Sequence, residues 1–206
     1  MALSHRLSLD CPTQGCLLKT RIMSKKSVAS DEKQLSPRVL HRVYIFHPHN
    51  MMMSSLTMQV EAQQKMLESQ GYKGRQVMGF KLPEWQRPAV WSDEQSERFI
   101  ESVFLGVGLG TYMVNLSMKN SMVDLVLVDG QQRMRAIERY LASEFAVRGE
   151  DGNKYVWGEL TDAEQAHFFR MPFAWNESSY HTEAEVREAY NRHNFGGVAH
   201  DPSQRA

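Results

Sequence analysis

Val123-Asp124-Leu125-Val126-Leu127-Val128 is an apolar, β-branched run broken by one acid, and it stops at Asp129-Gly130. Such a run suits a strand buried on both faces, because a strand with one wet face would alternate apolar with polar residues. Directly after it, Met134, Ile137, Leu141 and Phe145 recur at helical spacing, which predicts a helix packed back against the strand. A buried strand that turns through glycine into an amphipathic helix needs layers of helix on sheet. The expected fold class is therefore α/β (α+β), a small mixed sheet with flanking helices.

The other elements are read around that junction. Val43-Tyr44-Ile45-Phe46 predicts a short strand, ended by a loop at His47-Pro48-His49, and residues 51 to 69 predict a helix through Met52, Leu56, Val60 and Leu67. The two histidines have a spacing that would hold a metal on a strand, but no cysteine or carboxylate partner stands nearby. Pro83 and Pro88 forbid a continuous helix across residues 80 to 91. Ser92 fits an N-cap with Gln95 as its capping-box partner, and the helix it starts should run to about Leu105 with Phe99, Ile100, Val103 and Phe104 buried. Thr111 to Leu116 reads as a strand, Asp151-Gly152 as a hairpin turn, and Thr161/Glu164 and Thr182/Glu185 as two more capping boxes. The last helix should end near His193, before Gly196-Gly197.

Charge separates the chain into two expected parts. Residues 1 to 43 carry eight Lys or Arg against three Asp or Glu and show no sustained period, which reads as a basic, flexible N-terminal arm preceding a domain at 44 to 206. Met23 is an alternative start, and the arm is either a solvated tail or a nucleic-acid contact. Over the whole chain 24 basic residues balance 24 acidic ones, which excludes affinity built on a global basic field but leaves room for a local basic groove. Cys11 and Cys16 have no second pair to complete a zinc site. No apolar run approaches the ~20 residues that cross a bilayer and no secretory leader is evident, so a cytoplasmic protein without a membrane partner is expected.

Three sets of residues carry chemistry. In Asp129-Gly130-Gln131-Gln132-Arg133 a buried strand becomes a helix, whose first N–H groups lack intrahelical partners and sit at the positive end of its dipole. Gly130 permits close backbone approach, Arg133 can fork onto phosphate oxygens, and Asp129 can hold magnesium or orient a water. The same residues also read as an Asp-Gly turn with a solvated first turn, and spacing does not choose. Gln86-Arg87 lies between two prolines and two tryptophans; the rings either bury the Arg stem or anchor the core, or both. Arg192-His193-Asn194-Phe195-Gly196-Gly197 sets a cation and an amide at a helix end, which alone is a C-cap.

Taken together, the three sets resemble the N-terminal domain family of GmrSD-type restriction endonucleases, within the ParB/sulfiredoxin-like superfamily. The Phe-Gln-Arg-Pro-Tyr-Val-Trp motif corresponds to Trp85-Gln86-Arg87-Pro88-Ala89-Val90-Trp91, Asp-Gly-Gln-Gln-Arg stands intact at 129 to 133, and Arg-x-Asn-x-Gly-Gly lies at 192 to 197. The resemblance covers about residues 72 to 201, with Trp85 for Phe and Ala89 for Tyr marking a divergent member. It implies a ParB/sulfiredoxin-like domain that binds, and often hydrolyses, a nucleoside triphosphate with Mg2+, coupled in restriction systems to a separate HNH nuclease module. No HNH-like constellation is expected here, and glutamines where sulfinic-acid reductases need cysteine argue against that activity. On this reading Asp129, Gln132 and Arg133 are catalytic, with Asp129 the metal ligand, while Gln86, Arg87, Gly130, Gln131, Arg192 and Asn194 hold the nucleotide. The implied partners are the triphosphate and either DNA or a nuclease or other protein, with homo-oligomers open. The competing reading is a non-catalytic DNA- or protein-binding regulator, a phage-encoded decoy or inhibitor, whose pocket senses a nucleotide or is vestigial. Direct nuclease activity has the least support, since few carboxylates accompany Asp129.

Overall fold

The computed structural model describes residues 47–195. The basic arm with Cys11, Cys16 and Met23, the run at 43 to 46, and Gly196 and Gly197 lie outside the described residues. Within them the chain is a mixed α/β domain. Strand β1 (His47–Met52) leads into α1 (Met53–Ser69), followed by β2 (Arg75–Val77), β3 (Phe80–Leu82), α2 (Asp93–Phe104), β4 (Thr111–Asn115) and β5 (Val126–Asp129). Then come α3 (Gln131–Leu141), a hairpin of β6 (Val147–Arg148) and β7 (Lys154–Tyr155), a 3-10 turn (Trp157–Glu159), α4 (Asp162–Phe169), β8 (Pro172–Ser178) and α5 (Glu183–Phe195).

Six strands form one sheet in the order β1-β8-β4-β5-β3-β2. β5 runs antiparallel to β4 and parallel to β3, and β8 runs parallel to β4 and antiparallel to β1. Alternation along the central strands divides two cores. Tyr112, Val114 and Leu127 join the larger one with Ile100 and Val103 of α2 and Met134 and Ile137 of α3. Met113, Val126 and Val128 join a smaller one under α5, with Val186, Ala189 and Tyr190. The apolar run is thus covered on both faces, as its composition requires. Ile137 is fully buried, and cutting it to alanine should cost about 2–5 kcal/mol.

The strand within that run is shorter than its apolarity suggests. Only residues 126 to 129 join the ladder; Val123 and Leu125 are buried in the turn before it, with Leu125 at φ 56°. Side chains replace the ladder there: Asn115 Nδ2 donates to Val123 O at 2.8 Å, and Asp124 Oδ1 accepts from Ser117 N at 2.8 Å. The expected loop at His47 to His49 is instead edge strand β1, with His49 stacked on Trp175 at 4.7 Å and its Nε2 3.2 Å from Glu177 Oε2. Pro48 is tolerated because an edge strand leaves one side of its ladder unused. β8, paired on both sides, has no counterpart in the sequence reading. Phe145 lies past the end of α3 but still reaches the larger core.

The local signals hold where they are local. All three capping boxes form: Ser92 with Gln95, Thr161 with Glu164, and Thr182 with Glu185. The hairpin turns at Asp151-Gly152. No helix among the described residues is long and apolar enough to cross a membrane.

Candidate functional site

β5 delivers Asp129 to the end of the sheet, and Gly130 turns the chain into α3. Its φ of 101° is one that L side chains rarely adopt, and a Cβ there would meet Tyr112 Cβ at 2.6 Å. Only glycine fits both the torsion and the space. α3 then starts without a side-chain cap and without an acid in its first turn. Its first intrahelical bond runs from Met134 N to Gly130 O at 2.9 Å, so the N–H groups of residues 131 to 133 are left outside the helical ladder at the dipole's positive end.

This start opens on a cavity of about 150 Å³ lined by Gln86, Arg87, Trp91, the five residues 129 to 133, Tyr190 and Asn194. The first two sequence motifs and part of the third therefore converge. Their internal bonds give the residues different tasks. Gln131, with its amide oriented to satisfy both ends, donates to Arg87 O at 2.9 Å and accepts from Ala89 N at 3.0 Å. Gln132 Oε1 accepts from Val90 N at 3.0 Å and Trp91 N at 3.1 Å. Both glutamines thus fasten the 87–91 loop to the start of α3. Gln86 fastens it from the other side, with Nε2 donating to Val128 O at 3.2 Å. That bond fixes the amide, and Gln86 Oε1, in a residue 3% exposed, has no donor among the described residues.

Trp85 packs edge-on against Tyr190 at 5.2 Å on the smaller core, and Trp91 lies tilted against Phe99 of α2 at 5.6 Å, so the two rings hold the loop at both ends. Arg87 remains exposed at the cavity, and its guanidinium makes no hydrogen bond or ion pair with the described residues. Arg133 is more committed: Nη2 donates to Asp129 Oδ2 at 2.8 Å and to Thr111 O at 2.6 Å, while its buried Nε has no acceptor among the described residues.

The same Asp129 Oδ2 lies 3.5 Å from His193 Nε2. Burial pushes the Asp129 carboxyl up, but the His193 hydrogen bond, Arg133 and the Gly130 N–H outweigh it and hold it below the usual carboxylate range. His193 is raised in return by its hydrogen bond to Asp129. Sequence reasoning singled out Arg192 and Asn194 and passed over His193. The signal was present, because Val186, Ala189 and Tyr190 mark the buried stripe of α5 and one further turn reaches position 193. Arg192 falls off that stripe: it is absent from the cavity lining, and its Nε donates to Glu188 Oε1 at 2.6 Å. Asn194 lines the cavity, with Nδ2 donating to Tyr190 O at 3.0 Å.

The cavity's donors suit an anion: uncapped N–H groups, an unpaired guanidinium and an orphaned Arg133 N–H. Its one carboxylate already bridges two cationic side chains. Among the described residues no three His, Cys, Asp or Glu side chains are grouped to hold a metal, so a magnesium ion would depend mainly on oxygens brought by a ligand and by water. A larger cleft of about 640 Å³ lies away from the motifs, among Phe104, Leu105, Tyr140 and the hairpin. It contains none of the motif residues, and the chemistry argues for the smaller cavity.

Fold and site together define an α/β domain whose motif residues gather at one strand-to-helix turn. The sequence model described as the GmrSD restriction endonuclease, N-terminal domain, matches residues 64–201, and the chain belongs to that family. The match begins eight residues before the resemblance read from the motifs. No curated protein and no solved structure matches the chain. The family links the protein to restriction endonucleases.

Proposed function

We propose that the chain binds the phosphates of a nucleoside triphosphate at the start of α3 and hydrolyses it in a restriction-related process on DNA. One observation carries this reading: the α3 start has no side-chain cap and opens on a cavity edged by the unpaired Arg87 guanidinium. In this account the N–H groups of residues 131 to 133 and Arg87 bind phosphate oxygens, and Gln131 and Gln132 act by holding the Arg87 loop in place. Arg133, braced by Asp129 and Thr111 O, supplies fixed positive charge where phosphoryl transfer accumulates negative charge. Asp129 is the motif carboxylate able to hold a magnesium ion that enters on the phosphates, and that ion would neutralise charge on the transferred group. Nuclease action on DNA would come from a partner or a separate module.

A second reading, a nucleotide sensor without turnover, is favoured by the double engagement of Asp129 with Arg133 and His193. A thermal-shift panel of four triphosphates with and without magnesium, followed by phosphate release, separates the two. A ligand at 100 times its Kd should stabilise by about 2.7 kcal/mol. Phosphate release above the Asp129→Asn background supports the enzyme; binding without release supports the sensor; no shift with any triphosphate contradicts both.

A further inference from the structure

A cavity of about 150 Å³ is small beside the roughly 300–1,000 Å³ of ordinary ligand pockets. A second cavity of about 440 Å³ lies beside it. Three separate chain segments line both, and in the same order. On β5, Val126 faces the larger cavity and Asp129 the smaller, three residues or about 10 Å further along the strand. In the loop after β3, Pro83 to Trp85 line the larger cavity, and Gln86 and Arg87 the smaller. On α5, Glu183 and Val186 line the larger, and Tyr190 and Asn194 the smaller. The same three segments thus carry both cavities, and the Trp85–Tyr190 ring contact joins a residue lining the larger to one lining the smaller.

The two cavities differ in chemistry. The larger has apolar walls in Val123, Val126 and Val186 and an aromatic one in Tyr72. In its wall lies Lys81, 3% exposed, with Nζ donating to Gln70 Oε1 at 2.9 Å and to Ser121 O at 2.5 Å. Nζ also stands 5.4 Å from the centre of the Tyr72 ring, within cation–π range. Trp85 Nε1 is also buried without an acceptor among the described residues. Glu84 and Glu183, both exposed and in no hydrogen bond or ion pair with the described residues, stand at the rim. Donors within, aromatic and apolar walls, and carboxylates outside fit a nucleobase with hydrogen-bond acceptors on its edge and a sugar whose hydroxyls donate outward.

We propose that the Lys81 cavity receives the nucleoside end of the same triphosphate whose phosphates occupy the α3 start. The inference rests on the nucleotide reading above and adds a subsite to it. The base lies between Tyr72 and Val186 with its acceptor edge toward Lys81 and Trp85. The sugar passes the Trp85–Tyr190 pair within reach of Glu84 and Glu183.

Photolabelling of the unmodified chain with 8-azido-ATP and 5-azido-UTP, beside titrations of ATP, UTP and inorganic tripolyphosphate, tests this. Labels in residues 72 to 85, 120 to 126 or 183 to 186, suppressed by excess unlabelled nucleotide, are expected. Saturable labelling confined to other segments overturns the subsite and leaves nucleotide binding standing. Absence of binding by both nucleotides and tripolyphosphate overturns the nucleotide reading and the subsite with it. Met122→Trp gives a second check, since Met122 lines this cavity but is 78% exposed and carries no core packing. An indole at the mouth either blocks the base or stacks on it, so nucleotide affinity should shift by about tenfold, the scale of one base stack, while tripolyphosphate binding stays unchanged. Equal nucleotide affinity in the variant and the parent chain would overturn the assignment.

Discussion

Helices α2 and α3 pack side by side, and both face the same problem of first-turn N–H groups without helical acceptors. They solve it in opposite ways. α2 closes its start with its own side chains: Gln95 N donates to Ser92 Oγ, Ser92 N donates to Gln95 Oε1, and Asp93 and Glu94 face the dipole. α3 starts on a glycine with no cap and no acid, and its two first glutamines turn away to hold another loop. α1 also lacks a side-chain cap, but Met53 N donates there to Met171 O at 2.9 Å. The contrast teaches that the open start of α3 is the feature a folding requirement does not explain, which makes it the functional candidate.

Several variants would break or sharpen this contrast. The largest effect should come from Gly130→Val, which combines a disallowed torsion with a Cβ clash on Tyr112. It should cost about 3 kcal/mol or more in urea unfolding; a loss under about 1 kcal/mol would mean that the turn is not held as described. Next, Arg87→Ala should weaken triphosphate binding by roughly 1.5–3 kcal/mol, about tenfold to a hundredfold, since it removes a charge-assisted contact. Stability should hardly change, because the side chain is exposed and unpaired. Arg192→Ala, at a residue off the cavity, should leave affinity intact, and equal losses in the two arginine variants would refute the asymmetry.

Smaller still is Ser92→Ala, which opens the α2 start. It should lower stability by about 1 kcal/mol and leave ligand affinity unchanged in calorimetry, because nothing at α2 awaits an anion. The least effect is a pH dependence at the other edge of the cavity. His193 is raised above its ordinary 6.5, so its contribution to stability is full below that value and disappears as pH rises through the folded pKa. Asp129 is held below its ordinary 3.8, so its contribution is present above that value and disappears as pH falls through the folded pKa. The contact is strongest between the two. An NMR titration should place the His193 midpoint above 6.5 and return it downward in Asp129→Asn; identical midpoints would remove the contact.

What the sequence shows of this molecule follows the range of the interactions. The three capping boxes, the Asp151-Gly152 hairpin and the turn at Gly130 depend on residues a few positions apart, and all were readable. The convergence of 86–87 with 129–133 was readable only through family resemblance, because a gap of some forty residues leaves no periodic trace. The tasks of Gln131 and Gln132 were not readable, since their amides bond backbone atoms about forty residues away. β8 escaped because its two-sided pairing puts partly buried Trp175 and Asn176 in sequence where an inner strand should look apolar. Arg192 drew attention by charge, whereas the helical phase set by Val186 and Tyr190 pointed to His193.

The central claim, that the open α3 start is the phosphate site, is tested most directly by titrating ATP and tripolyphosphate into the parent chain and Gln132→Glu. A glutamate oxygen still accepts from Val90 N and Trp91 N, so the loop stays fastened. Its new charge lies in the first turn, where helix dipoles welcome an acid by about 0.3–1 kcal/mol, so stability should hold or rise slightly. An anion bound there would be repelled, and affinity for both ligands should fall at least about tenfold, or ~1.4 kcal/mol. Unchanged affinity in a folded Gln132→Glu chain would contradict the account, because a phosphate seated on residues 131 to 133 must feel that charge.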